Sequence, residues 1–185
     1  MCGRYYVEVD EGEMGRIVNE IQNRTQLCSG EIYPTNIAPA IGMDGRPQAM
    51  KWGFPRYDGK GQVINARSET AGEKAMFRRP LSEGRCLIPA SNYFEWENVG
   101  GKKKKYALRP EGAEVMYMAA LSRLDPETGI PLFVILTRPA ANDIAFIHNR
   151  MPVILPRTLL DDWLGGYDAQ AVFDQAEQRI TYRAV

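Results

Sequence analysis

What most constrains this chain is a long succession of short apolar runs, punctuated by glycine and proline, that never settles into alternation with helices. Strands are predicted over residues 2–9, Gln48–Phe54, Gln62–Ala66, Arg85–Ile88, Asn92–Glu97, Lys105–Leu108, Val115–Leu121, Pro131–Thr137, Met151–Leu155 and Ile180–Arg183. Tyr33–Pro39 is extended, because each proline drives its predecessor out of the helical region. Val99-Gly100-Gly101 predicts a hairpin turn. Helices are expected from Asp10, with Glu13 completing a capping box, and over Ser68–Phe77, Asn142–Ile147, Arg157–Leu164 and Asp168–Gln178. Twelve prolines and 17 glycines suit many short, bent strands. A doubly wound parallel sheet would need helix and strand in turn, so an α+β fold of mostly antiparallel strands is expected. At 185 residues, with no linker-like segment, the chain reads as a single domain, 1–185, able to bury a core unaided.

The formal charge is zero, yet it is unevenly spread. Residues 46–109 hold fourteen basic and six acidic side chains, a local excess of +8 that the rest of the chain cancels. Arginine outnumbers lysine 16 to 7, and the arginine fork suits phosphate or carboxylate. Lys102–Lys105 is expected as a solvated hairpin tip.

No run approaches the roughly 18 apolar residues of a membrane helix, and the N-terminus lacks a signal-peptide pattern. Three cysteines, with no CxxC pair, and a single histidine argue against a metal site and for free thiols in the cytoplasm. No cofactor is expected. The chain also lacks a GxSxG elbow and a Walker loop.

Four places carry chemistry. Loss of Met1 would leave Cys2 as an N-terminal 1,2-aminothiol, whose amine (pKa about 7.7–8.0) is partly neutral near pH 7. Such a group condenses with an aldehyde to an imine, which the thiol closes to a thiazolidine; otherwise Cys2 is an ordinary strand residue. His148, in Ile147-His148-Asn149-Arg150, suits proton transfer beside an anion, or is a plain surface or capping residue. In Asn92-Tyr93-Phe94-Glu95-Trp96-Glu97, strand periodicity puts Tyr93, Glu95 and Glu97 on one face, and desolvation by aromatic neighbours equips a carboxylate for acid–base work. In Asn65-Ala66-Arg67-Ser68, Asn65 offers both donor and acceptor, while Ser68 is placed to cap a helix whose N-terminus, with Arg67, could take an anion.

These pieces, in this order, resemble the SRAP family of abasic-site processing proteins. The matching stretches are Met1-Cys2-Gly3-Arg4-Tyr5, Asn36-Ile37-Ala38-Pro39, Trp52-Gly53-Phe54, Ile64–Thr70, Arg85–Ala90, Tyr93-Phe94-Glu95-Trp96 and His148–Leu155. The chain departs from the commonest pattern at Asn149, where the family often has aspartate, and at Phe54-Pro55-Arg56-Tyr57. The resemblance implies a barrel-like sheet core with peripheral short helices. It implies Cys2 as covalent nucleophile toward the ring-opened aldehyde of an abasic site in single-stranded DNA. Asn65 would position it, and Glu95 and His148 would handle protons. Gly3, Arg4, Pro39, Trp52, Phe54, Arg67, Lys74 and Arg150 would contact DNA, with Trp52 and Phe54 wedged or stacked at the neighbouring base step. A monomer in the cytoplasm, joining the nucleoid when bound to DNA, with no membrane or metal partner, completes the expectation. A self-processing cysteine peptidase and a non-covalent single-strand binder are the alternatives.

Overall fold

The computed structural model describes residues 2–21 and 27–185; the expected loss of Met1 lies outside them. The strands, in chain order, are β1 (Arg4–Val7), β2 (Gly30–Ile32), β3 (Ile37–Ile41), β4 (Pro47–Trp52), β5 (Phe54–Pro55), β6 (Gln62–Val63), β7 (Asn65–Arg67) and β8 (Arg85–Ala90). They continue with β9 (Asn92–Val99), β10 (Lys102–Pro110), β11 (Met116–Leu124), β12 (Pro131–Pro139), β13 (Arg150–Pro152), β14 (Ile154–Leu155) and β15 (Ile180–Ala184). The helices are α1 (Glu13–Glu20), α2 (Ala75–Glu83), α3 (Leu160–Leu164) and α4 (Ala169–Asp174).

The expected α+β architecture is present. Strands β12, β4, β3, β8 and β11 close on themselves, since β12 pairs with both β4 and β11. Closure removes exposed sheet edges and buries the inward side chains. The apolar run Pro131–Thr137 lies within β12, the wall shared by β11, β4, β7 and β13. A second sheet, in the order β15-β10-β9-β1-β2, packs its Tyr5, Val7, Tyr93 and Leu108 into the same core. At the β9–β10 hairpin Lys102 lies opposite Val99, and Gly100 and Gly101 both take positive φ, the requirement of a two-residue turn.

Three local expectations are corrected. The helix expected from Asp10 begins at Glu13; its N-cap is Gly12, which makes no side-chain cap. Asp10 instead accepts from the Gly12 amide, and Glu13 is drawn away by Arg157 and the Tyr117 hydroxyl. The helix expected over Ser68–Phe77 is a 3-10 turn at Ser68–Thr70 followed by α2, and no side chain caps either. Ser68 bonds Glu69, so the expected anion-binding helix end does not form there. Lys105 is not part of a solvated tip: it lies 3.8 Å over the Phe94 ring and bonds Glu31 at 2.9 Å.

Candidate active site around Cys2

Strand β1 starts two residues after Cys2 and is held between β9 and β2, so the N-terminus is stitched into the second sheet. Cys2 is fully buried. Its carbonyl accepts from the Asn65 side-chain amide at 2.9 Å, which ties the N-terminus to β7. Strand β7 is itself set by parallel pairing with β12, Asn65 opposite Ile135 and Arg67 opposite Thr137. Glu95 lies on β9, opposite Tyr106, and is 4% exposed. Burial pushes the Cys2 thiol well up from its usual range, and the nearby Glu95 carboxylate adds to this. Cys2, Asn65 and Glu95, far apart in sequence, thus meet at one place.

The face prediction for β9 holds where it matters. Tyr93 sits directly opposite Tyr5 on β1, and both rings are fully buried. Burial, with smaller contributions from Cys2 and Glu95, holds the Tyr93 hydroxyl well above its normal range. On the outer face, Arg4 lies 5.0 Å over Trp96 and 4.7 Å over Tyr33, with its guanidinium 3.2 Å from Glu31.

A second cluster stands at the other end of β7. His148 precedes β13, and its Nδ1 accepts from the Arg150 backbone amide at 3.0 Å. The proton of a neutral His148 is therefore on Nε2. The Arg150 guanidinium clasps the Glu69 carboxylate and reaches the Thr137 carbonyl at 2.7 Å. That clasp holds the Glu69 carboxyl down to about 2. Arg150 is thus largely engaged within the protein, with its side chain only 12% exposed. Arg67, one strand position from Ala66, is exposed, as is Lys74 at the start of α2; Gly3 is half-buried beside Cys2. Three residues of β7 span roughly 7 Å, so Asn65 and Arg67 join the two clusters along one short strand.

The residues expected at the base step, Trp52 and Phe54, lie in the core. Trp52 and Phe54 are 0% exposed. Trp52 stacks on Phe133 at 6.0 Å, tilts against Tyr5 at 5.2 Å and donates from Nε1 to the Ile64 carbonyl at 3.0 Å. It packs in the barrel core against residues of β1 and β12. Pro39 is buried in β3 opposite Ala49, so it too is part of the wall. The exposed aromatic of this segment is Tyr57, at 79%. Sequence periodicity could not separate it from Trp52. Gly53, at φ 118, makes the bend between β4 and β5.

Among the described residues no group of three or more His, Cys, Asp or Glu side chains is arranged to hold a metal. Among the described residues no helix is long and apolar enough to cross a membrane.

The profile of the SOS response associated peptidase (SRAP) family matches residues 1–185. The chain belongs to that family. It is 32% identical to the abasic site processing protein YoqW of Bacillus subtilis (strain 168), over 89% of this chain and 80% of that protein. It is 27% identical to the abasic site processing protein YedK of Escherichia coli (strain K12), over 89% and 79%. Among solved structures, a protein from Bacteroides thetaiotaomicron superposes with a TM-score of 0.82 at 21% identity, covering 100% of this chain and 92% of that one. A protein from Bordetella bronchiseptica gives 0.77 at 24%, covering 100% and 99%. These two share the SRAP fold seen here.

Proposed function

We propose that this SRAP protein processes abasic sites in single-stranded DNA by joining them covalently to Cys2. The reading is supported by one observation above others: Asn65 grips the Cys2 carbonyl at 2.9 Å, so the chain terminus is built into a site that also contains buried Glu95. Two of its relatives carry the name abasic site processing protein.

The chemistry follows from the groups present. After Met1 is removed, the Cys2 amine attacks the C1′ aldehyde of the opened sugar. A C–N bond forms, water leaves, and an imine results. The thiol then adds across the imine: an S–C bond forms, the C=N π bond breaks, and the proton lost by sulfur is balanced by the one gained by nitrogen. The amine acts first and sulfur closes the ring second, since the imine must form before the thiol can add to it. Glu95 relays protons between sugar and amine. His148, presenting Nε2–H, serves water loss on the far side. Arg67 and Lys74 hold flanking phosphates, which position the strand without chemistry of their own. Arg4 and Arg150 reach phosphates only by sharing or leaving their carboxylate partners, Glu31 and Glu69. No metal is needed, since the aldehyde is already electrophilic.

The test is incubation of the mature protein, its mass verified, with single-stranded DNA carrying one abasic site. A shifted band on a denaturing gel, absent with Cys2→Ala, is expected. Salt-sensitive binding with no shifted band would replace this reading with non-covalent strand binding.

A further inference from the structure

Buried hydroxyls nearly always find a hydrogen-bond partner, so those that do not call for an explanation. The Tyr5 and Tyr93 hydroxyls are both buried, and neither has a hydrogen-bond partner among the described residues. The two residues are register partners on β1 and β9, so their side chains leave the same face of the sheet, the buried inner one. Asn65 shows the same pattern: its amide nitrogen holds Cys2, while its buried Oδ1 has no partner among the described residues. Among the described residues these three polar atoms are without partners; Asn65 touches Cys2 directly, and both hydroxyls lie within electrostatic reach of its thiol. A fold selected for stability alone would carry phenylalanine at positions 5 and 93, because an unmet buried hydroxyl destabilises.

We infer that the Tyr5 and Tyr93 hydroxyls are further parts of the reactive centre, held ready to donate hydrogen bonds to the Cys2 sulfur as negative charge develops on it. This rests on the covalent chemistry proposed above and deepens it. In the ring-closing step the S–H proton must leave sulfur before or while the S–C bond forms. A thiolate in an apolar pocket is costly unless donors already point at it. Fixed O–H dipoles serve here as backbone amides serve an oxyanion, with no reorganisation at the moment of reaction. Both phenols keep their own protons throughout, so the balance of the step is unchanged. The other titratable groups bearing on these two hydroxyls are Glu95, from β9, and Cys28 and Cys86, which bear on Tyr5. Tyr93, two residues from Glu95 on the same buried face of β9, has the larger role.

The experiment compares wild type, Tyr93→Phe and Tyr5→Phe, each with its N-terminus verified by mass. Three quantities are read: the midpoint of thermal unfolding, the rate of cross-linking to abasic single-stranded DNA from pH 5.5 to 9, and the rate of Cys2 alkylation by iodoacetamide over the same range. Both variants are expected to unfold at or above the wild-type temperature. Tyr93→Phe is expected to slow cross-linking on the order of tenfold and to move the alkylation profile to higher pH, with a smaller effect for Tyr5→Phe. Wild-type rates and profiles in both variants would overturn the inference. So would a lowered unfolding temperature with unchanged rates, the signature of hydroxyls that only anchor ordered water. The alkylation profile decides the matter without DNA. A wild-type protein that fails to cross-link while its variants shift the profile sinks the abasic-site reading and leaves the thiolate role standing.

Discussion

The side-chain amide of Asn65 donates to the main-chain carbonyl of Cys2 at 2.9 Å, across 63 residues of sequence. One bond thereby sets both the position of the chain terminus and the distance from Cys2 to everything carried on β7. Replacing Asn65 with alanine frees the terminus while removing one hydrogen bond. We expect cross-linking to slow by roughly two orders of magnitude, the scale of lost positioning, with a stability cost of about 1 kcal/mol. Single-turnover gel kinetics and denaturant unfolding measure the two separately, and equal proportional losses in both would refute a positioning role.

Arg67 is exposed on the same strand and has no ion-pair partner among the described residues. Arg67→Ala is expected to weaken binding to intact and abasic strands alike. The slope of log affinity against log salt should fall by roughly one unit times the single-strand coefficient of about 0.7. Thermal stability should not change. A salt slope identical to wild type would remove Arg67 from the phosphate contacts.

Trp52 is fully buried in the core. Trp52→Ala is expected to lower stability by about 3–5 kcal/mol through the cavity it leaves. Trp52→Phe keeps most of the packing and loses only the bond to the Ile64 carbonyl. For that milder variant, affinity for single-stranded DNA should match wild type at a temperature where both are folded. A large loss of affinity with native stability would restore the wedge.

Glu69 carries a pH signature. Its carboxyl is held down to about 2 by the Arg150 clasp, against about 4.5 in an unfolded chain. A depressed carboxylate contributes stability that is fully present above the unfolded value and is lost as pH falls through the folded one. Wild type should therefore exceed Glu69→Gln in stability above pH 5, and the gap should close between about pH 4.5 and 2. Since the side chain is 44% exposed, the gap will be small and will shrink with salt. Urea midpoints taken through that pH range check the sign.

The N-terminal thiol gives a mass-based expectation. Expressed with a short extension before Cys2, the protein is expected to remove it, and Glu95→Gln to slow that removal by at least tenfold. Intact mass over time reads the result. Prompt cleavage in both proteins would place the processing with a host enzyme.

The local pattern was legible where chemistry and periodicity are local. Alternating apolar residues marked nearly every strand, and the Gly100–Gly101 turn fixed the β9–β10 register. Face alternation in β9 put Tyr93 and Glu95 together, and they point inward as a pair. Helix starts were less legible. Glu13 looks like a capping residue from sequence, but Arg157 and Tyr117, more than a hundred residues away, compete for its carboxylate and win. The same competition turned Arg150 from a free phosphate ligand into the partner of Glu69.

Sequence alone determined that this chain carries a cysteine at position 2, strands in place of a doubly wound sheet, and the motifs of the SRAP family. Those are properties of residue type and spacing, which need no partner to be expressed. Only the tertiary structure decided which aromatics face solvent, which charges are already satisfied, and that two tyrosine hydroxyls lie buried without partners among the described residues. These depend on closure of the barrel, because burial and pairing are set by what arrives from distant strands. Trp52 and Tyr57 make the difference plain: five residues apart and both aromatic, one is sealed in the core and the other is 79% exposed.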